Sequence, residues 1–286
     1  MPRFVIVALT ALAILAFAGN SLLTRAALGA GLIGPGPFAA IRLAAGAAVL
    51  LPVILPGLLR GDRPQVDVVA VGSLLVYTVA FSFAYRSLGA GAGAMILFAA
   101  VQSTIAVVGL VRGVPIGGRA LAGICTALAG LAYLVSARGI GAVSLGPALL
   151  MVAAGMAWGG YTLAGRRTTD PTRATALNFL LAAPLAVPFV LMGGGVPVER
   201  QGVLLAVCAG ALTSGIGYGI WYAVAPRLGH ATIGAVQLAT PVVAALGGAL
   251  LLGETVTARL SIAAALIFGG IVLTISPNTK RRAPAR

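Results

Sequence analysis

Sparse charges cut this sequence into ten apolar stretches, near residues 4–24, 36–58, 67–86, 90–111, 119–137, 147–165, 173–192, 202–224, 231–252 and 258–276. Each is close to the roughly 20 residues that a helix needs to cross the hydrocarbon core of a bilayer. A segment in lipid must satisfy its own backbone, as an α-helix or within a closed β-barrel. Barrel strands alternate polar and apolar residues, and runs such as 94–101 and 242–252 do not. The expected fold class is therefore an all-α membrane protein with ten transmembrane helices. Composition agrees. The 286 residues are 60% hydrophobic and only 8% charged, against about 25% charged in a soluble domain.

The first stretch resembles a signal peptide, with Arg3, an apolar run and Ala16-Phe17-Ala18 as a cleavage site. The run continues to Leu23, beyond a typical signal core, so it is read as the first helix. Glycine is abundant, 40 residues. Patterns such as Gly123-xxx-Ala127 and Ala244-xxx-Gly248 suit close helix packing in lipid. Cys125 and Cys208 lie inside apolar segments and are read as small buried residues.

A net charge of +14 would suit nucleic acid if it lined one face. Here the basic residues are scattered between apolar segments, so no nucleic-acid partner is expected. They carry topology instead. With a cytoplasmic N-terminus, thirteen Lys and Arg fall on the inner side and five on the outer, with Arg42 inside the second helix. The positive-inside rule then places both termini in the cytoplasm.

The chain also repeats itself weakly. At an offset of 140, Leu88-Gly89 matches Leu228-Gly229, Gly113 matches Gly253, Arg119 matches Arg259, and Gly130 matches Gly270. Ala18-Gly19 sits opposite Trp158-Gly159, while Pro52 sits opposite Pro188 at 136. The expected organisation is a first five-helix repeat at 1–138, a linker at 139–146, a second repeat at 147–276 and a basic cytoplasmic tail at 277–286. Five is odd, so the second repeat enters the membrane from the other side. Inverted repeats of this kind place a substrate site between the halves near the midplane, with alternating access.

Two five-helix halves, Ala18-Gly19-Asn20, Trp158-Gly159 and the ending Gly229…Thr240-Pro241…Leu251-Leu252-Gly253-Glu254 resemble the drug/metabolite transporter superfamily, EamA type. Residues 210–222 resemble its aromatic amino acid exporter branch. The resemblance covers nearly the whole chain. It implies a bacterial inner-membrane permease, often an exporter of amino acids or related metabolites. Val101 and Val114 stand where the second half has Pro241 and Glu254, so the halves are not functionally equivalent.

Candidate substrate-binding residues are those too polar or aromatic for lipid at their depth. Pro241 lacks an N–H, which frees the carbonyl of Gln237. A kink or hinge at Pro241 and a polar group at Gln237 thus coincide near mid-membrane. Gln102 lies near the middle of the fourth helix, and Tyr77 and Trp158 near the centres of theirs, too deep for an interfacial belt. Tyr218 shares a helix face with Trp221 and Tyr222. Asn20 matches a common family position. Structural readings stand beside these: polar side chains also glue helices together in membranes. Arg42 reads as a cation snorkelling to the outer interface, or more sharply as a charge partner for a carboxylate substrate.

The five acids, Asp62, Asp67, Asp170, Glu199 and Glu254, all fall in loops or at helix ends. Glu254 is placed to pair with Arg259. His230 falls in a cytoplasmic turn. No P-loop, GxSxG, HExxH or Cys/His cluster occurs. No catalytic residue, metal site or cofactor is therefore expected, and the chain reads as no enzyme. The leading reading is a secondary transporter or facilitator exporting amino acids or related metabolites. Its partners are that small-molecule substrate and the lipid bilayer, with homo-oligomerisation left open. A proton-coupled drug/cation exporter and a non-transporting assembly factor or intramembrane enzyme are the alternatives. The absence of an intramembrane carboxylate weighs against proton coupling.

Overall fold

The computed structural model describes residues 1–62, 64–113, 117–135, 143–165, 168–192, 195–228 and 237–275. Expectations on residues 139–142 of the linker at 139–146, on His230 and on the basic tail lie outside them. The described residues form eleven α-helices and no strand. The helices are α1 (Arg3–Gly29), α2 (Pro35–Leu59), α3 (Val68–Tyr85), α4 (Ala90–Val111), α5 (Gly118–Val135), α6 (Leu145–Gly165), α7 (Pro171–Leu185), α8 (Arg200–Cys208), α9 (Gly217–Val224), α10 (Ala239–Leu252) and α11 (Ala258–Ile275). A π-helical segment, Ala209–Ile216, joins α8 and α9 into one rod, Arg200–Val224.

Among the described residues, each apolar stretch read from the sequence falls mostly on α-helix. Seven helices, the rod included, are long and apolar enough to cross a membrane by length and composition. Ala239–Leu252 and Ala258–Thr274 are shorter apolar helices. The helix α7 stops after 15 residues and passes into a 3-10 turn at Val187–Met192. Pro184 and Pro188 explain the break, since each removes a backbone donor from the ladder. The outward surface is apolar, with Leu191 91%, Leu250 82% and Val111 81% exposed. Lipid is the solvent for such a face.

Two acids serve as helix caps. Asp67 accepts from the Ala70 amide and Asp170 from the Arg173 amide, each satisfying an orphan donor of the first turn.

Small residues set the helix spacing. Where α5 crosses α11, a Cβ on Gly123 would lie 2.4 Å from the Gly270 carbonyl oxygen, and a Cβ on Gly270 would lie 2.4 Å from that of Gly123. Seven residues further on, Gly130 faces the Ala263 carbonyl at 3.1 Å on the same measure. The crossing is thus nearly self-symmetric at the offset of 140. The same offset relates Gly113 and Gly253, both left-handed at φ 79° and 65°. Helix pairing follows suit: α2 packs on α7, α4 on α10, α5 on α11, and α3 on α6 while α1 packs on the rod.

Candidate functional site

At the centre of this packing lies a box of aromatic rings. Trp158 of α6 has its ring centroid 4.9 Å from Tyr77 of α3, 5.0 Å from Tyr218 of α9 and 5.3 Å from Tyr161. Phe17 of α1 stands edge-on to Tyr218 and Trp221, and Tyr77 continues through Phe81 to Tyr85. A cavity is enclosed here by Asn20, Tyr77, Phe98, Trp158, Tyr218 and Gln237, with Ser21 and three further apolar side chains. Its volume is about 20 Å³, room for about one water molecule. Aromatic walls with a few convergent polar groups are the usual make-up of a small-molecule site.

Tyr77 is the polar hub of the box. Its hydroxyl accepts from Asn20 Nδ2 at 2.9 Å and from Arg42 Nη2 at 3.2 Å. Arg42 departs from its snorkelling expectation. Its side chain is 1% exposed and turns inward, with the guanidinium carbon 5.2 Å and 5.1 Å from the ring centres of Tyr77 and Phe81. The position along α2 left room for an outward rotamer; packing against the rod decides the inward one. A Cβ on Gly210 would lie 2.1 Å from the Arg42 carbonyl oxygen, so α2 and the π segment touch backbone to backbone. The wider π turn brings the Ser214 hydroxyl onto the Ala209 carbonyl, where its oxygen accepts from Arg42 Nε at 3.2 Å. Such π segments recur at functional sites.

No carboxylate balances this cation. Glu254 bonds Arg25, Asp62 bonds Arg173, Asp67 and Asp170 cap helices, and Glu199 is exposed ahead of α8. Arg42 Nη1, Asn20 Oδ1 and Thr240 Oγ1 are buried without a hydrogen-bond partner. An arginine at the centre of a membrane helix costs about 2.5–3.5 kcal/mol even on the milder scale. Two hydrogen bonds and two ring faces offset part of that cost.

Of the six expected site residues, Asn20, Tyr77, Trp158, Tyr218 and Gln237 meet at the cavity, and Gln102 does not line it. Gln102 is half-buried and lies i+4 from the lining residue Phe98, one turn further along the same stripe. Pro241 sits in the first turn of α10 as described, with a turn at Leu238 separating it from helical backbone at Gln237. The ladder is therefore interrupted one turn before the proline. Asn178 contacts Tyr161 at 3.4 Å, away from the central cavity.

Two wider vestibules flank the box. One, of about 490 Å³, is lined by Arg25, Ser87, Gly89 and Glu254. The other, of about 560 Å³, is lined by Gln65, Asp67, Tyr161, Asn178 and Tyr222. They lie beyond opposite ends of α3, with Tyr77 midway between. Glu254 departs from its expected pairing with Arg259. It bonds Arg25 at 2.9 Å and accepts from the Ala90 amide at 2.8 Å, while Arg259 lies over the Tyr133 ring. The left-handed Gly253 turns the chain back so that the Glu254 amide reaches the Gly248 carbonyl, a helix stop that glycine accommodates best. The Leu-Gly-Glu ending thus stops one helix and clasps two others.

A helical membrane protein with a polar-aromatic centre between opposed vestibules has the layout of a small-solute transporter. Residues 145–276 match the EamA-like transporter family. The chain is 45% identical to an uncharacterized protein of Pseudomonas aeruginosa, over 99% of both chains. It is 25% identical to a probable amino-acid metabolite efflux pump of Salmonella typhimurium, over 84% of this chain and 87% of that one. A solved crystal structure at 24% identity superposes with a TM-score of 0.63, covering 96% of this chain and 98% of the other, a likeness of fold. Residues 145–276 carry an EamA-like transporter domain, and together with the distant efflux-pump relative this supports an EamA-type permease of the drug/metabolite transporter superfamily. The chain is a multi-pass membrane protein, and the family is one of transporters and not of enzymes.

Proposed function

We propose that this protein is an inner-membrane secondary transporter or facilitator that exports amino acids or related small metabolites by alternating access. Ten helices cross the membrane as two inverted five-helix repeats, with both termini cytoplasmic. The observation that carries the reading is the box of Asn20, Tyr77, Trp158, Tyr218 and Gln237, set between vestibules beyond opposite ends of α3. Support for the inverted repeat comes from the near-symmetric α5–α11 crossing and from the left-handed glycines at 113 and 253. The Salmonella relative's description points the same way on substrate class, as does the resemblance to aromatic amino acid exporters. Asn20, Tyr77, Trp158, Tyr218 and Gln237 contact the substrate, Gln102 contributes one turn away, and Pro241 is the hinge.

A proton-coupled cation exporter would need a carboxylate near the substrate. All five acids are engaged or placed elsewhere, and the nearest charge to the box is the cation Arg42, which repels cationic solutes.

The test is uptake of labelled neutral amino acids into proteoliposomes, with and without a pH gradient. Uptake driven by the amino acid gradient alone supports the reading. No uptake of any neutral amino acid counts heavily against it, and strict dependence on the pH gradient restores the proton-coupled alternative.

A further inference from the structure

The transporter reading leaves the chemistry of the solute open, and Arg42 narrows it. This cation is buried to 1% exposure in a chain whose acids are all paired, capping helices or exposed elsewhere. Its donors are incompletely used: Nε meets Ser214, Nη2 meets Tyr77, and Nη1 meets nothing. On the other side of the same Tyr77 hydroxyl, the Asn20 amide also has a buried, unpartnered end. A half-turn of that amide presents N–H in place of oxygen. Two incompletely satisfied polar groups therefore flank one hydroxyl of the aromatic cavity, Asn20 lining it and Arg42 standing directly behind Tyr77.

A buried charge without a counter-charge is costly, and a site that keeps one retains a preference for the missing partner. The guanidinium fork matches a carboxylate better than any other small anionic group of a metabolite except phosphate. The walls choose between those two. Phe17, Tyr77, Phe81, Trp158 and Tyr218 suit an apolar or aromatic body, not a heavily hydrated phosphate ester.

Resting on the transport reading, we propose that Arg42 is the counter-charge for the carboxylate of the transported solute, which enters beside Tyr77 and Asn20. The site then takes amphipathic carboxylates, neutral aromatic and branched amino acids among them, ahead of the corresponding amides and amines. The carboxylate supplies the anion that the protein lacks, so in the loaded carrier Arg42 is buried in an ion pair and not as a lone cation.

The test uses the full-length protein in proteoliposomes with three labelled probes: L-phenylalanine, 3-phenylpropionate and L-phenylalaninamide. Wild type is expected to take up the two carboxylates at least tenfold faster than the amide. Arg42→Gln is expected to lose at least tenfold of carboxylate uptake, and Arg42→Lys to lose less. Should Arg42→Gln fail to fold, Asn20→Asp decides. It places a carboxylate of the protein's own across the Tyr77 hydroxyl from Arg42, so it is expected to match or exceed wild type in thermal stability while carboxylate uptake falls at least tenfold. Equal uptake of amide and carboxylates overturns the inference and leaves the transport reading standing. So does uptake within twofold of wild type in a folded Arg42→Gln or in Asn20→Asp. No uptake of any of the three probes by wild type that does take up another neutral amino acid overturns this inference alone; no uptake of any neutral amino acid at all overturns the transport reading, and this inference with it.

Discussion

Arg25 on α1 donates its Nε hydrogen to Oε1 of Glu254 at 2.9 Å, joining residues 229 apart in sequence. The second oxygen of Glu254 accepts from the Ala90 amide, the first donor of α4. One carboxylate therefore holds the ends of α1, α4 and α10 together at one mouth of the bundle. Both side chains are mostly buried, at 25% and 20% exposure. Glu254→Ala should lower stability by about 1–2 kcal/mol, the range for a charge-assisted hydrogen bond with a partly solvated partner. A double-mutant cycle with Arg25→Ala, read by thermal melting in detergent, should return a coupling of that sign. Additive effects would show that the pair is not a clasp.

The opposite mouth is closed more weakly. Arg173 Nη2 meets Asp62 Oδ2 at 2.6 Å, but the two side chains are 35% and 40% exposed. Water and salt screen a pair of this kind, leaving under about 1 kcal/mol. Asp62→Asn should therefore cost less stability than Glu254→Ala, and the difference from wild type should shrink as salt is raised.

Tyr77→Phe keeps the ring and removes the one oxygen shared by Asn20 and Arg42. Two buried polar groups then lose a partner, at about 1–3 kcal/mol each before relaxation. We expect a lower melting temperature together with reduced amino acid uptake. Unchanged uptake would remove the hydroxyl from the site.

Trp158→Ala and Gln237→Ala should impair uptake while the protein still inserts into the membrane and elutes as a single species. Trp158 loses contact with three tyrosines of the box, and Gln237 is the polar side chain that the segment preceding α10 contributes to the cavity. Wild-type rates in both variants would sink the site assignment and leave the fold intact.

Gly123→Val tests the packing of α5 on α11. Its Cβ would lie 2.4 Å from the Gly270 carbonyl oxygen and 2.9 Å from the Thr274 amide nitrogen. Backbone atoms do not yield as side chains do, so the helices must separate, at a cost of at least about 1–3 kcal/mol. Gly219→Ala is the control, with open space around the added carbon. Yield and monodispersity in detergent should fall for the first and hold for the second.

The positions of the helices were legible in the sequence because hydrophobic transfer is written along one dimension. Twenty apolar residues between charges mark a helix whatever its neighbours are; that Asp67 and Asp170 cap two of the starts came from the structure. Much of the central box was legible too. Tyr77, Trp158 and Gln237 are improbable in lipid at mid-depth, and that argument needs no partner. Gln102 met the same criterion and lies a turn away from the box, because depth along a helix does not say where along its stripe a cavity closes.

What the sequence by itself determined is the solvent, the helices and the depth of each unusual side chain. Only the tertiary structure decided which way those side chains point and what they meet. Arg42 has the same depth whether it snorkels or turns inward; the contact of Gly210 with its backbone and the π turn at Ser214 select inward. Glu254 had a cation five residues away in Arg259 and took Arg25 instead. Helix rotation and spacing come from small-residue contacts between segments distant in the chain, and a hydrophobic pattern carries no information about them.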